Sequence, residues 1–168
     1  IFSRALTETG AGNLDFVQLV QRIGQQTGGI YPTVFNSNQR GRKEGVSWMF
    51  LRGKAMLDQS AHLLNLMLEV LFNAHLDDRD RIRQIVLEDK ASWEAGVVQA
   101  GHRVVNSRIR AHFTEADWAA EQMTGVSQLF FLRDLLKQID ENWAGVQAVF
   151  ESIRTSMLTQ AGLLLNVT

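Results

Sequence analysis

Pro32 is the only proline in the 168 residues of this chain. Proline removes a backbone N–H and clashes with the preceding helical turn, so its scarcity lets long helices run unbroken. Helix ends must then come from glycines and capping side chains. Hydrophobic residues make up 45% and charged residues 21%, an ordinary globular balance and enough for one domain with a core. The expected class is α+β: a small, mostly antiparallel sheet of two full strands and a truncated third, packed against several long helices. The residues read as a single segment from 1 to 168, with no internal repeat, low-complexity tract or linker.

Capping signals divide the chain. Asn13 predicts an N-cap, with Asp15 in the first turn where the helix dipole favours an anion. Phe16, Val20, Ile23 and Thr27 follow at helical spacing, with Val17 and Gly24 beside them. Gly28 and Gly29 supply the stop. "IYPTVF" then predicts a strand, placed at a sheet edge because Pro32 cannot donate to a ladder. A polar connector, "NSNQRGRKEG", leads to "VSWMFLRGKAM". Val46, Trp48 and Phe50 alternate with Ser47, Met49 and Leu51 there, and apolar residues on both faces predict a strand covered on both sides. The pair is compatible with a long antiparallel hairpin.

Helices follow. Asp58 predicts the cap of one carrying Ala61, Leu64, Met67, Leu68 and Leu71. Asp77 and Asp78 open another, with Ile82, Ile85, Val86, Trp93, Val97, Ala100 and Val104 on one stripe. Unbroken to Ala111, it would span on the order of 50 Å at about 1.5 Å per residue. Gly96 and Gly101 inside it predict close packing or a bend. Thr114 and Asp117 resemble a capping box for a short helix ending at Gly125. Ser127 and Asp140 predict the caps of the last two helices. After Gly162, "LLLNVT" reads as the start of a strand. Two full strands must share a sheet with many helices, so the expectation is an interior portion of a larger module.

The formal net charge of -1 gives no global field toward nucleic acid or an anionic membrane. The absence of cysteine excludes disulfides, zinc–cysteine sites and thiol nucleophiles. No apolar run is long enough to span a bilayer. His62, His75, His102 and His112 show none of the H-x-x-x-H, H-E-x-x-H or H-x-x-E-H spacings that set two metal ligands on one helix face. Asp77, Asp78 and Asp80 lack the twelve-residue calcium-loop pattern and read as helix N-terminal acids. Lys90, Arg103, Arg108 and Arg110 are interleaved with Glu88, Asp89 and Glu94, which suits a solvated helix side better than a phosphate site. Arg40, Arg42 and Lys43 form the densest basic spot, in a connector that reads as a surface loop. Gly10-Ala11-Gly12 lacks the preceding strand and the lysine of a phosphate loop. Trp48, Trp93, Trp118 and Trp143 read as core. No catalytic, metal-binding or cofactor-binding residue is assigned to the segment.

"FSRALTETGAGNLDFVQLVQRIGQQTGGI", "LRGKAM" and "AEQMTGVSQLFFL", in that order, together resemble the presequence protease family of pitrilysin-type (inverzincin) zinc metallopeptidases. The similar region is the third of four homologous α/β modules, the peptidase-associated domain. The resemblance implies a parent enzyme of two half-shells, joined by a helical hairpin and closing around a chamber. Such an enzyme degrades unstructured peptides, including cleaved targeting peptides. It implies zinc held by an H-x-x-E-H motif and a distant glutamate, all in the first module, so none of those positions lies here. Basic and aromatic residues near the substrate belong to the fourth module. This segment would be non-catalytic chamber wall, with the remaining modules and an unstructured peptide as its partners and zinc only in the parent. The strand Ile30–Phe35 could pair with an extended peptide, an idea that Pro32 weakens by removing a donor. Bacterial cytoplasm or an organelle matrix or stroma is the implied compartment. Two other readings stand beside it: a stand-alone helical interaction domain, and an inactive core subunit resembling the peptidases. Open sheet edges and the leucines of "LLLNVT" raise the expectation of self-association.

Overall fold

The computed structural model describes residues 1–42, 44–159 and 161–168. It begins with a short helix, α1 (Phe2–Glu8), which no capping signal announces: Ile1 is its N-cap and makes no side-chain cap bond. Gly10-Ala11-Gly12 builds a tight hairpin, β1 (Gly10–Ala11) with β2 (Leu14–Asp15). Helix α2 (Phe16–Gln26) is capped by Asp15, not Asn13. The Asp15 carboxylate accepts from the Gln18 N–H, and the Gln18 side chain accepts from the Asp15 N–H, a reciprocal capping box. The helix ends as expected, with Gly29 at a φ of 115° that only glycine adopts without strain.

β3 (Ile30–Asn38) and β4 (Gly45–Gly53) form a nine-residue antiparallel hairpin in continuous register, from Ile30 opposite Gly53 to Asn38 opposite Gly45. Each strand has one partner, so Pro32 sits on an edge strand as its chemistry requires. The expectation that β4 is covered on both sides fails. Helices cover one face only. Met49 joins the core with Phe2, Leu51 packs near Leu63 and Met67, and Asn36 reaches Met123. The other face is open.

A 3-10 turn at Leu57–Gln59 contains Asp58, and α3 (Ser60–Phe72) follows without a side-chain cap. Its buried residues are Leu66 and Val70, while Leu64 and Leu68 are exposed. The stripe in α2 is likewise displaced: Leu19 is buried and Val17 and Val20 are exposed. Asp78 caps α4 (Arg79–Gly96) by accepting from the Arg81 N–H at 3.0 Å. The long helix stops there. Residues 97–100 form a turn, and α5 (Gly101–Arg110) starts afresh. Gly96 and Gly101 have open space where a Cβ would stand, so they mark a bend and not close packing. Ile82, Ile85 and Val86 are buried as the stripe requires; Trp93 is half-buried, its Nε1–H donating to Gln128.

Thr114 caps α6 (Glu115–Thr124) as expected, accepting from the Asp117 N–H at 3.0 Å, and Gly125 ends it. Gly125, not Ser127, is the N-cap of α7 (Val126–Glu141). Asn142, not Asp140, caps α8 (Trp143–Met157); Asp140 instead pairs with Arg83 at 2.9 Å. Residues 163–168 form no strand and are exposed, so the truncated third strand is absent and the β1–β2 hairpin is the second sheet. The α+β class stands. The core has two parts. One joins α1, α4, α7 and α8 through residues such as Leu6, Ile82, Leu132, Ile139 and Phe150; the other joins β1, α2, α3 and Ile30 through Leu19, Leu66 and Val70.

Candidate functional site

Alternation along paired strands places Tyr31, Thr33, Phe35 and Ser37 on one hairpin face with Val46, Trp48, Phe50 and Arg52. Phe35 lies directly opposite Trp48 and Thr33 opposite Phe50. Phe35 and Phe50 meet edge-to-face, their ring centroids 6.4 Å apart. The Arg52 guanidinium lies 5.0 Å from the Phe50 ring centroid. At the open end of the hairpin Tyr31 folds back, its hydroxyl donating to the Gly28 carbonyl at 3.2 Å. These rings stay in water: Tyr31 is 55% exposed, Phe35 52%, Trp48 44% and Phe50 37%. An aromatic row this exposed on an ordered strand pair is the feature of the molecule that its own packing does not use.

An open groove of about 700 Å³ lies at the other end of the hairpin, lined by Asn38, Arg42, His112, Phe113, Glu115 and Trp118. Glu115 is committed there to holding the hairpin, accepting from the Gly45 N–H at 2.7 Å. Trp118, like Trp48, is exposed and not core; Trp143 and Trp93 are half-buried. Of the basic connector, Arg40 and Arg42 are exposed and Lys43 lies outside the described residues.

The other basic residues are structural. Arg110 pairs with Asp117 at 2.8 Å, Lys90 with Glu94 at 3.0 Å, and Arg108 reaches both Glu121 and Ser127. The two arginines tie α5 to α6 and α7, where the sequence suggested only a solvated side. Glu121 was not singled out by any spacing rule, yet its side chain is 0% exposed. It accepts from the Ser127 N–H at 3.2 Å, the donor that an α7 cap would otherwise satisfy. Burial pushes the Glu121 carboxyl up; the Ser127 hydrogen bonds and the Arg108 guanidinium outweigh this and hold it below the usual range.

The histidines do not converge. His62 is on α3, His102 on α5 and His112 at the corner after it, while the His75 Nε2–H donates to the Gly12 carbonyl at 2.8 Å and pins the small hairpin. Among the described residues no group of three or more His, Asp or Glu side chains is placed to hold a metal ion. This donor set does not fit a zinc site. Among the same residues no helix is long and apolar enough to cross a membrane.

A family of peptidase-associated domains, those associated with metallopeptidase family sixteen, subfamily C, matches residues 1–135. The chain is 38% identical over its full length to "Presequence protease 1, chloroplastic/mitochondrial" of Arabidopsis thaliana, and covers 16% of that protein. It is 27% identical over 134 residues to "Protein HypA" of Clostridium perfringens (strain 13 / Type A), which is 79% of this chain and 14% of that one. Against "Presequence protease, mitochondrial" of Danio rerio the identity is 23% over 145 residues, or 83% of this chain and 14% of the relative. The chain thus spans about one sixth of the length of these relatives. The matched stretch runs from α1 into α7 and takes in the hairpin, its covering helices and the Glu121 corner, and on that match the chain belongs to this peptidase-associated family.

Proposed function

We propose that this chain is a non-catalytic wall module, the third of four, in a zinc metallopeptidase that degrades unstructured peptides such as cleaved targeting peptides. The observation that carries the reading is the two-sided hairpin. One face is built onto α1, α3 and α6, and the other is aromatic and bare. A wall needs this asymmetry: helices outward for rigidity, a sheet face inward toward the substrate. A closed chamber then selects for unfolded chains, because a folded protein cannot enter. Zinc and the residues that hold it belong to the first module in this reading, and no catalytic step is assigned to any residue here.

The test uses the full-length polypeptide. Glutamates at Phe35 and Trp48 are expected to leave zinc content and turnover of a short chromogenic peptide unchanged. They are expected to raise KM for a long unstructured peptide. Equal KM values for both peptides would overturn the assignment. The chain by itself is expected to dialyse free of zinc and to hydrolyse no peptide; stoichiometric zinc with chelator-sensitive cleavage would place the active centre here instead.

A further inference from the structure

We propose that the bare face of the β3–β4 hairpin docks one extended, apolar peptide segment bearing a carboxylate, with Phe35, Trp48 and Phe50 as the platform and Arg52 as the anion contact. The proposal rests on the chamber-wall reading for the presence of peptide and adds to it the site and the chemistry of the segment held.

Area decides against a second copy of the chain. At about 200 Å² per aromatic side chain, the exposed fractions of Tyr31, Phe35, Trp48 and Phe50 amount to on the order of 400 Å² of apolar surface. A stable protein–protein interface buries about 800 Å² on each partner. The patch is half that, within the range of single functional patches on monomers. Its shape is a strip: nine-residue strands at about 3.3 Å per residue give a length of about 30 Å. An extended peptide matches that length and presents alternate side chains to the rings, which are rigid and lose little rotamer freedom on contact.

Charge selects further. Among the described residues, Arg52 is the one charged side chain on this face of the hairpin. It is oriented by Phe50 at 5.0 Å, and the two strands place no aspartate or glutamate beside it. A lysine or arginine on the ligand finds no partner there. A carboxylate within reach of Arg52 gains a charge-assisted hydrogen bond, whether it comes from an acidic side chain or from a peptide C-terminus.

The experiment uses the 168-residue chain and amide chemical-shift titration. Three nine-residue peptides alternate leucine and serine: one ends in a free carboxylate, one is amidated, and one is amidated with an internal aspartate. Shifts are expected along β3 and β4. The two carboxylate-bearing peptides should bind about 2- to 5-fold tighter than the neutral one, the range of an exposed ion pair. Arg52→Gln should abolish that difference, and Phe35→Ser with Trp48→Ser should weaken all three. A tighter fit of only one carboxylate peptide identifies the source and still supports the proposal. Equal binding of all three, shifts confined to the Trp118 groove, or no shift at millimolar peptide would overturn it. So would sedimentation showing a dimer that Phe35→Ser disperses, which would assign the face to a second copy. Peptide binding with unchanged full-length KM in the face variants would remove the chamber-wall reading alone; the opposite pattern would remove this proposal alone.

Discussion

Glu121 closes the corner between α6 and α7 from the inside. Helix α7 begins at Val126 without a side-chain cap, and Ser127, which looks like one in sequence, cannot serve. Its N–H is satisfied from the preceding helix by the Glu121 carboxylate. The same corner needs Gly125 for room. A Cβ there would stand 2.5 Å from the Glu121 carbonyl oxygen and 2.7 Å from the Glu121 side chain. This is the physical content of the stretch "AEQMTGVSQ", and capping rules could not find it, because they look within a helix and not six residues back across a turn. Glu121→Ala is expected to cost about 2–3 kcal/mol, the range for losing a charged hydrogen bond and leaving its buried donor unpaired; chemical denaturation measures it. The pH dependence follows from the same geometry. The folded carboxyl is held below its unfolded value, so its contribution is complete above about pH 4.3. It is lost as the pH falls through the lower folded value. Glu121→Gln should therefore lower stability at neutral pH and flatten the acid limb of the stability curve. An unchanged acid limb would show that Glu121 titrates alike in the folded and unfolded chain.

At the scale of elements, the existence of helices and strands was legible, and their faces were not. The hairpin, the α2 stop and the Thr114 cap all follow from local chemistry that no tertiary contact overrides. The stripe in α3 does not. "LLNLMLEVLF" is apolar nearly all round, so periodicity cannot tell Leu66 and Val70, which are buried, from Leu64 and Leu68, which are not. The same ambiguity hid the bare hairpin face, since β4 alternates large apolar residues on both sides and only the position of α1, α3 and α6 says which is covered. The α4–α5 break is a further case. The Val97 and Ala100 N–H groups still reach back four residues, to Trp93 and Gly96, so the break interrupts a nearly continuous helix. Neither Gly96 nor Gly101 has a neighbour where a Cβ would go. Replacing both with alanine should therefore add no clash and recover about 1–2 kcal/mol of helix propensity. A higher denaturation midpoint and a stronger helical signal in circular dichroism are expected. A loss of stability would mean that the bend is held by contacts that a straight helix breaks.

For the molecule as a whole, the piece least visible in the sequence is the one that joins the rest. Helix α1 has seven residues, no acid in its first turn and no side-chain cap, so nothing local favours it. It forms because both halves of the core close on it. Ala5 and Leu6 are buried with Leu76, Ile82 and Phe150, and Phe2 stacks on Phe150 at 6.3 Å. Arg4 draws Glu8 and Glu88 together across α1 and α4. At the other end Thr9 is buried, its hydroxyl donating to the Ala5 carbonyl at 2.8 Å, and the chain passes directly into β1 and the second core cluster at Ala11. Arg81 clamps this junction, donating to the Glu8 carbonyl at 2.6 Å while its guanidinium sits 3.8 Å from the Phe16 ring centroid. A helix so placed should couple the two clusters into one cooperative unit. Leu6→Ala removes a fully buried side chain and is expected to cost about 3–5 kcal/mol. Because Leu6 lies in the first cluster alone, the informative readout is the second. Amide hydrogen exchange in α2 and α3 should lose protection by the same amount as exchange in α7 and α8, and one thermal transition should remain. Protection lost in α7 and α8 while α2 and α3 keep theirs would show that the clusters fold independently, and that α1 belongs to one of them and joins neither to the other.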